Sequence, residues 1–343
     1  MTGTTALRPD MDPFVPRPWL RNGHVMTLYA WARHREFPHL PPPEARRFRV
    51  LPDTDVLAHC HWQPSPTSAP TLVALHGLES SSDAHYMRGL ADKAFARGWN
   101  AVRLNQRTCG GTEHLTPRLY HSGLTDDPWA VLRELTTIDG LRTIGVVGYS
   151  LGGNLAVKLA AEAADQPGVP LAAAVGVSPA IDLARCVEAI ERPVNYPYQW
   201  NFVRNLRGRM RRKAAAWPGR FDLSGLDDIW TIRQFDEVYT APHHGFAGAA
   251  DYYHRASAVR VVDRIRIPTL LITADNDPFV PVAPFGEPGV RAHTEVRIEA
   301  GGGHCGFVAE ARDGSDGYWA ESTALAFLAS VMTPEAGAPR ARP

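Results

Sequence analysis

An excess of charge of either sign is what this sequence most plainly lacks. Its 36 Lys and Arg are matched by 36 Asp and Glu, so no net field argues for nucleic acid or for an acidic ligand. Cysteine is scarce too. Cys60, Cys109, Cys186 and Cys305 are scattered with no C-x-x-C pair, which argues against a disulfide framework or a zinc knuckle. There is no run of about 18 apolar residues, so no membrane-spanning helix is predicted. The opening MTGTTALRPDMDPF carries Asp and Pro early and no apolar stretch, and does not read as a secretory signal peptide. No internal repeat is visible. The expectation from these absences is a cytoplasmic protein with no metal knuckle. Apolar residues make up 44% and charged residues 21%, ordinary values for a globular chain. Its 343 residues suffice for one large α/β domain with an insertion, or for two domains.

The most informative stretch is Thr143 to Leu159, TIGVVGYSLGGNLAVKL. Ile144, Val146 and Val147 form an apolar β-branched run that suits a buried parallel strand. The chain then turns at Gly148-Tyr149-Ser150-Leu151-Gly152. It continues as a helix with Leu155, Ala156, Leu159 and Ala160 on its apolar face. Strand, G-x-S-x-G and helix together form the context of a nucleophile elbow, in which the serine sits at a strained apex. The N–H of Leu151 opens the helix and points at charge developing beside Ser150. Without that context the pentapeptide would be no more than a tight strand-to-helix turn.

Residues 1–45 are rich in Pro, Arg and aromatics and show no clear period. They read as an arm wrapping the domain. Arg46 to Leu51 and Val56 to Trp62 read as strands joined by a turn. His59 and His61 share one face of the second strand, where a solvated face is a better reading than a metal site with two ligands. Further strands are expected over Thr71 to Leu75, Ala101 to Leu104, Leu171 to Val177, Ile267 to Thr273 and Thr294 to Ile298. Helices are expected over Ala84 to Arg97, Pro128 to Ile138 and Tyr318 to Val331. This alternation predicts a mostly parallel sheet with helices on both faces, with any ligand at the carboxyl ends of the strands. It gives a core over 46–180 and 263–332. Residues 181–262 hold no buried-strand pattern but many aromatics, and read as a helical lid insertion. The basic run Arg204 to Lys213 could face anionic lipid. A solvated helix face balanced by Asp222, Asp227, Asp228, Asp236 and Glu237 fits it better. The Pro- and Ala-rich end, 333–343, reads as a disordered tail.

A serine nucleophile needs a base, and the base an orienting acid. Downstream of the insertion one strand ends in Ala274-Asp275-Asn276-Asp277-Pro278-Phe279-Val280, and the next in Gly301-Gly302-Gly303-His304. Other matching stretches are Trp19-Leu20 with Gly23-His24, His76-Gly77-Leu78-Glu79, Arg107-Thr108-Cys109-Gly110-Gly111, Arg118 to Gly123, and His244-Gly245-Phe246. On these residues the chain resembles the α/β-hydrolase superfamily, and within it the YheT-like branch, from about residue 17 to 310. The resemblance implies the α/β-hydrolase fold and a serine hydrolase that cleaves carboxylic esters through an acyl-enzyme, with no cofactor. Its substrate would be a small-molecule or lipid ester. The acyl chain, the alcohol and the oligomeric state stay open.

The resemblance implies Ser150 as nucleophile and His304 as base. It favours Asp277 over Asp275 as the acid, because two residues separate Asp277 from the Val280-Pro281 pair, as in the family's pattern. The N–H groups of Leu78 and Leu151 would form the oxyanion hole. His76, Tyr149, Trp200, Phe202 and Trp230 are candidates for the substrate pocket, His76 also as a residue that shapes its loop. Cys305 is not expected to compete as nucleophile, for want of a base of its own. Two other functions remain. The triad could pass its acyl group to an alcohol or thiol, or the fold could serve as a catalytically silent binding protein.

Overall fold

The computed structural model describes residues 13–310 and 315–333. The tail expected over 333–343, apart from Thr333, and the first twelve residues of the expected arm lie outside the described residues. Helix α1 spans Gly23–Ala32. Strands β1 (Glu44–Leu51), β2 (Thr54–His61) and β3 (Thr71–Leu75) follow, then helix α2 (His85–Ala96) and β4 (Asn100–Leu104). Helix α3 (Asp126–Thr137) leads to β5 (Ile144–Tyr149), α4 (Leu151–Glu162) and β6 (Leu171–Val177). Five helices come next: α5 (Leu183–Ile190), α6 (Tyr196–Ala216), α7 (Ile232–Phe235), α8 (Ala241–His243) and α9 (Ala249–Ala256). The chain then returns through β7 (Thr269–Ala274), α10 (Pro288–His293), β8 (Glu295–Glu299) and α11 (Trp319–Met332).

The strands form one eight-stranded sheet in the order β1-β2-β4-β3-β5-β6-β7-β8. The pairs β1–β2 and β2–β4 are antiparallel and the others parallel. The apolar runs of the central strands follow from burial on both faces. Leu72 and Ala74 of β3 and Val147 and Tyr149 of β5 pack on the side of α1, α2 and α11. Val73 and Leu75, with Ile144 and Val146, pack on the opposite side under α3 and α4. The turns after β3, β5, β7 and β8 emerge at one edge of the sheet, its carboxyl edge. The register sets this, pairing Leu75 with Gly148 and Ala274 with Glu299.

Two readings of the N-terminal half change. The segment that showed no period contains α1, whose start is capped by the Asn22 side chain accepting from the N–H groups of His24 and Val25 at 3.0 and 3.2 Å. The strand face carrying His59 and His61 is not solvated. His61 is buried, with the Arg103 guanidinium 3.2 Å from its Nε2. Burial first, then the Arg103 charge, pulls its pKa down to about 4.

The expected insertion is helical throughout its regular elements among the described residues. Three of the six cations in its basic run are ion-paired, two of them with acids of the core. Arg209 pairs with Glu79 and Arg212 with Glu113, while Arg211 takes Asp227 from the insertion itself. Among the described residues no helix is long and apolar enough to cross a membrane.

Candidate active site

Strand β5 delivers Ser150 to the start of α4 in a left-handed conformation, φ 54° and ψ −117°. A non-glycine residue pays strain for that geometry, and such strain persists where the surroundings over-determine it. Here they do. The Ser150 N–H donates to the Val177 carbonyl at 2.9 Å, and its own carbonyl accepts from Asn154 and Ala180 N–H groups at 3.1 Å each. The turn also requires its glycines. A Cβ on Gly148 would lie 1.9 Å from the Gly152 carbonyl oxygen, and one on Gly152 would lie 2.4 Å from that of Leu75. Leu151 is the first residue of α4, so its N–H has no acceptor within the helix.

The loops after β7 and β8 bring a carboxylate to a histidine. Asp277 Oδ2 lies 2.8 Å from His304 Nδ1, and the Asp277 side chain is fully buried. Its other oxygen, Oδ1, accepts from the N–H groups of Phe279 and Val280 at 3.1 and 2.9 Å. Pro278 keeps the loop in the turn that aims both N–H groups inward. Asp275 is exposed and spends its carboxylate on the Gly301 N–H at 3.0 Å, tying the two loops together. Burial pulls the His304 pKa down, and the Asp277 charge more than offsets it. The net result is a rise to about 10.

Helix α1 holds the histidine loop, a role no local pattern announced. Thr27 Oγ1 accepts from the His304 N–H at 2.8 Å and donates to the Gly23 carbonyl at 2.6 Å. Asn276 clasps the same loop, accepting from the Gly303 N–H at 3.0 Å and donating to the Arg21 carbonyl at 2.8 Å. The only outward signal was the Gly23-His24 match.

The turn after β3 carries Leu78. His76 beneath it is fully buried, with Nδ1 2.8 Å from the Gly77 carbonyl and Nε2 accepting from the Gln106 N–H at 3.1 Å. Burial lowers its pKa to about 4, so it is neutral at neutral pH. It shapes the loop and lines neither of the two larger cavities described next, which removes it from the expected pocket. Glu79, in a left-handed conformation at φ 53°, is ion-paired with Arg209 of α6 at 2.7 Å. The Arg209 guanidinium also lies 4.5 Å from the centre of the Tyr120 ring.

Ser150 stands where two cavities meet. The inner, of about 100 Å³, runs beneath α5, α6 and α7 between Leu183, Ile190, Leu206, Ile232 and Phe235. Its lining also includes the polar side chains of Arg209, Asp236 and Tyr253. The outer, of about 540 Å³, opens between α1 and the start of α6 and is also lined by His304 and Tyr149. Leu78, Ser150, Phe202 and Phe279 border both. Of the residues expected in the pocket, Phe202 borders both cavities and Tyr149 lines the outer one. Trp200 and Trp230 do not. Both are exposed on the outer side of the insertion, under the guanidinium groups of Arg204 and Arg207 respectively. Their neighbours Tyr198 and Phe202 turn inward instead.

Two features complicate the arrangement. Among the described residues no hydrogen bond joins the Ser150 hydroxyl to His304, a contact that often tightens only with substrate bound. Cys305 is not remote from a base, since it follows His304 in the chain and lines the same outer cavity. No cluster of three or more His, Cys, Asp or Glu that could hold a metal occurs among the described residues.

Comparison with known proteins fits this geometry. The profile of the alpha/beta hydrolase family matches residues 72–314. YheT of Escherichia coli strain K12, provisionally named an esterase, is 36% identical over 302 residues, covering 86% of this chain and 87% of that one. The phospholipase ABHD3 of Mus musculus is 27% identical over 245 residues, covering 71% of this chain and 59% of that one. Among solved structures, the Pyrococcus furiosus esterase Pf2001 superposes with a TM-score of 0.54 at 17% identity. It covers 84% of this chain and 93% of its own.

Proposed function

Because the chain belongs to the alpha/beta hydrolase family, on its YheT-like branch, we propose that it is a carboxylic-ester hydrolase working through Ser150, His304 and Asp277. The observation that carries the reading is the Asp277–His304 contact of 2.8 Å, beside a strained serine that lines the same cavity as the histidine. Ser150 Oγ attacks the ester carbonyl carbon as His304 Nε2 takes its proton. Asp277 accepts the Nδ1–H, fixing the tautomer and stabilising the imidazolium. The carbonyl oxygen becomes an oxyanion held by the N–H groups of Leu78 and Leu151, each worth about 3 kcal/mol in comparable sites. The alcohol leaves with the proton from His304. A water then attacks the acyl carbonyl carbon, giving its proton to His304, and His304 returns that proton to Ser150 Oγ as the Oγ–acyl bond breaks and the acid is released.

The two cavities suit the two halves of an ester. The inner, apolar one takes the acyl chain and the outer, open one the alcohol. Residues 181–262 act as the lid, with 46–180 and 263–332 as core and 1–45 as an arm whose Arg21 and Thr27 buttress the His304 loop. The substrate class is a small-molecule or lipid ester. The test is a panel of p-nitrophenyl esters of graded chain length, run on wild type and Ser150→Ala. Hydrolysis abolished by the substitution supports the reading, and undiminished hydrolysis removes it. A rate that climbs with added alcohol at constant water would move the assignment to acyl transfer.

A further inference from the structure

Large exposed apolar side chains gather at the mouth of the outer cavity. On α1, Val25, Leu28 and Trp31 are 43%, 52% and 74% exposed. Across the cavity Val194 is 64% exposed, and on the helix that follows it Tyr196 and the outward-facing Trp200 are 55% and 58% exposed. Leu28, Trp31 and Val194 line the cavity itself. The two sides are joined where the His24 ring stacks on Tyr198, centroids 5.7 Å apart, with Nδ1 3.2 Å from the phenol oxygen. An apolar rim of this kind on a monomeric surface marks an interaction site.

The same two segments are basic in a chain of zero net charge. Over residues 17–36 and 192–205 the cations are Arg17, Arg21, Arg33, Arg35, Arg192 and Arg204, against Glu36 as the one acid. Arg35 is buried in its pair with Glu321. The others form no ion pair among the described residues, and Arg204 lies 5.6 Å from the centre of the Trp200 ring. Indole and phenol rings beside arginines, on a partly exposed helix, match the chemistry of a headgroup layer: rings settle at the interface and cations meet phosphates.

We infer that this face docks on an anionic lipid surface, so that the outer cavity opens directly onto lipid. The inference deepens the hydrolase reading, since it says where the ester comes from, but the docking itself does not require turnover. The unpaired arginines favour lipid over a second copy of the chain, which would have to bring the same positive charge against itself.

The test is flotation of the full chain carrying Ser150→Ala with vesicles of phosphatidylglycerol and, separately, of phosphatidylcholine. Strong flotation is expected with phosphatidylglycerol, weakened by salt, and little with phosphatidylcholine. Trp200→Ser with Arg204→Ser should reduce phosphatidylglycerol binding about tenfold. Neither residue lines a cavity, so the same pair in the wild-type background should still cleave soluble p-nitrophenyl acetate, which also shows that it folds. Absence of flotation with phosphatidylglycerol, or flotation of the double variant equal to that of its parent, overturns the inference. So does a dimer that this double substitution dissociates, which would assign the face to a second copy. Flotation without any ester cleavage by the wild type would sink the hydrolase reading and leave the docking standing. Cleavage without flotation does the reverse.

Discussion

Arg209, on the longest helix of the insertion, reaches Glu79 in the turn beside Ser150, and the two are joined at 2.7 Å with both side chains 6% exposed. The pair fastens the insertion to the loop that presents the Leu78 N–H. Burial drives the Glu79 carboxyl upward against the pull of Arg209. Removing one partner of such a pair strands the other charge, at a cost of about 3–5 kcal/mol. Arg209→Met should therefore lower stability by that order in urea unfolding and depress kcat as the loop loosens. Adding Glu79→Gln should restore part of both. A double variant no better than the single would separate the pair from the loop.

Asp277→Asn keeps the shape of the acid and removes its charge. By analogy with the serine-protease acid-to-amide change, kcat should fall about 10⁴-fold. Asp275→Asn should cost far less, because Asp275 is exposed and holds only the Gly301 N–H. Both variants need melting curves before their rates are compared. The opposite ranking in two folded variants would transfer the acid to Asp275.

The raised pKa of His304 has consequences for pH. With its proton held to about pH 10, the free enzyme gains neutral base as pH rises, so kcat/KM should climb from about pH 6.5 toward 10. The sign for stability is the reverse. A histidine whose folded pKa is raised contributes fully below its unfolded value and loses that contribution as pH climbs through about 10. Asp277→Asn should shift the rising limb of the activity profile toward lower pH. An unmoved limb would mean that it belongs to another group.

Acyl selection should reside in the inner cavity. Ile232→Ala removes wall from that cavity and should raise the ratio of long-chain to short-chain ester turnover. Trp230→Ala, which removes an exposed ring outside it, should leave the ratio alone. Equal effects from both would place selection elsewhere.

What could be read from the sequence was what neighbouring residues decide. The elbow, the Asp277 loop and the glycine-rich approach to His304 are each written in a few consecutive residues, and the strand runs carry their own burial. Helix α1 escaped because its outer side chains, Val25, Leu28 and Trp31, are as apolar as its buried Met26 and Ala30, which erases the amphipathic period. His61 was misplaced because a polar residue on an alternating strand reads as solvent-facing, whereas the chain returns to cover it with α2 and Arg103. Trp200 and Trp230 were assigned to the pocket on aromatic character, which does not say which side of a helix faces inward. Contacts such as Thr27 with His304 or Arg209 with Glu79 join residues far apart in the chain and leave no local trace.

The central claim, that Ser150 is the nucleophile, is tested most directly by a fluorophosphonate probe followed by intact mass and peptide mapping. The account predicts one adduct, on Ser150, lost in Ser150→Ala and slowed in Asp277→Asn. An adduct on Cys305, which shares the cavity and follows His304 in the chain, or on Ser178, whose hydroxyl instead accepts from the Cys305 N–H at 3.0 Å, would contradict it.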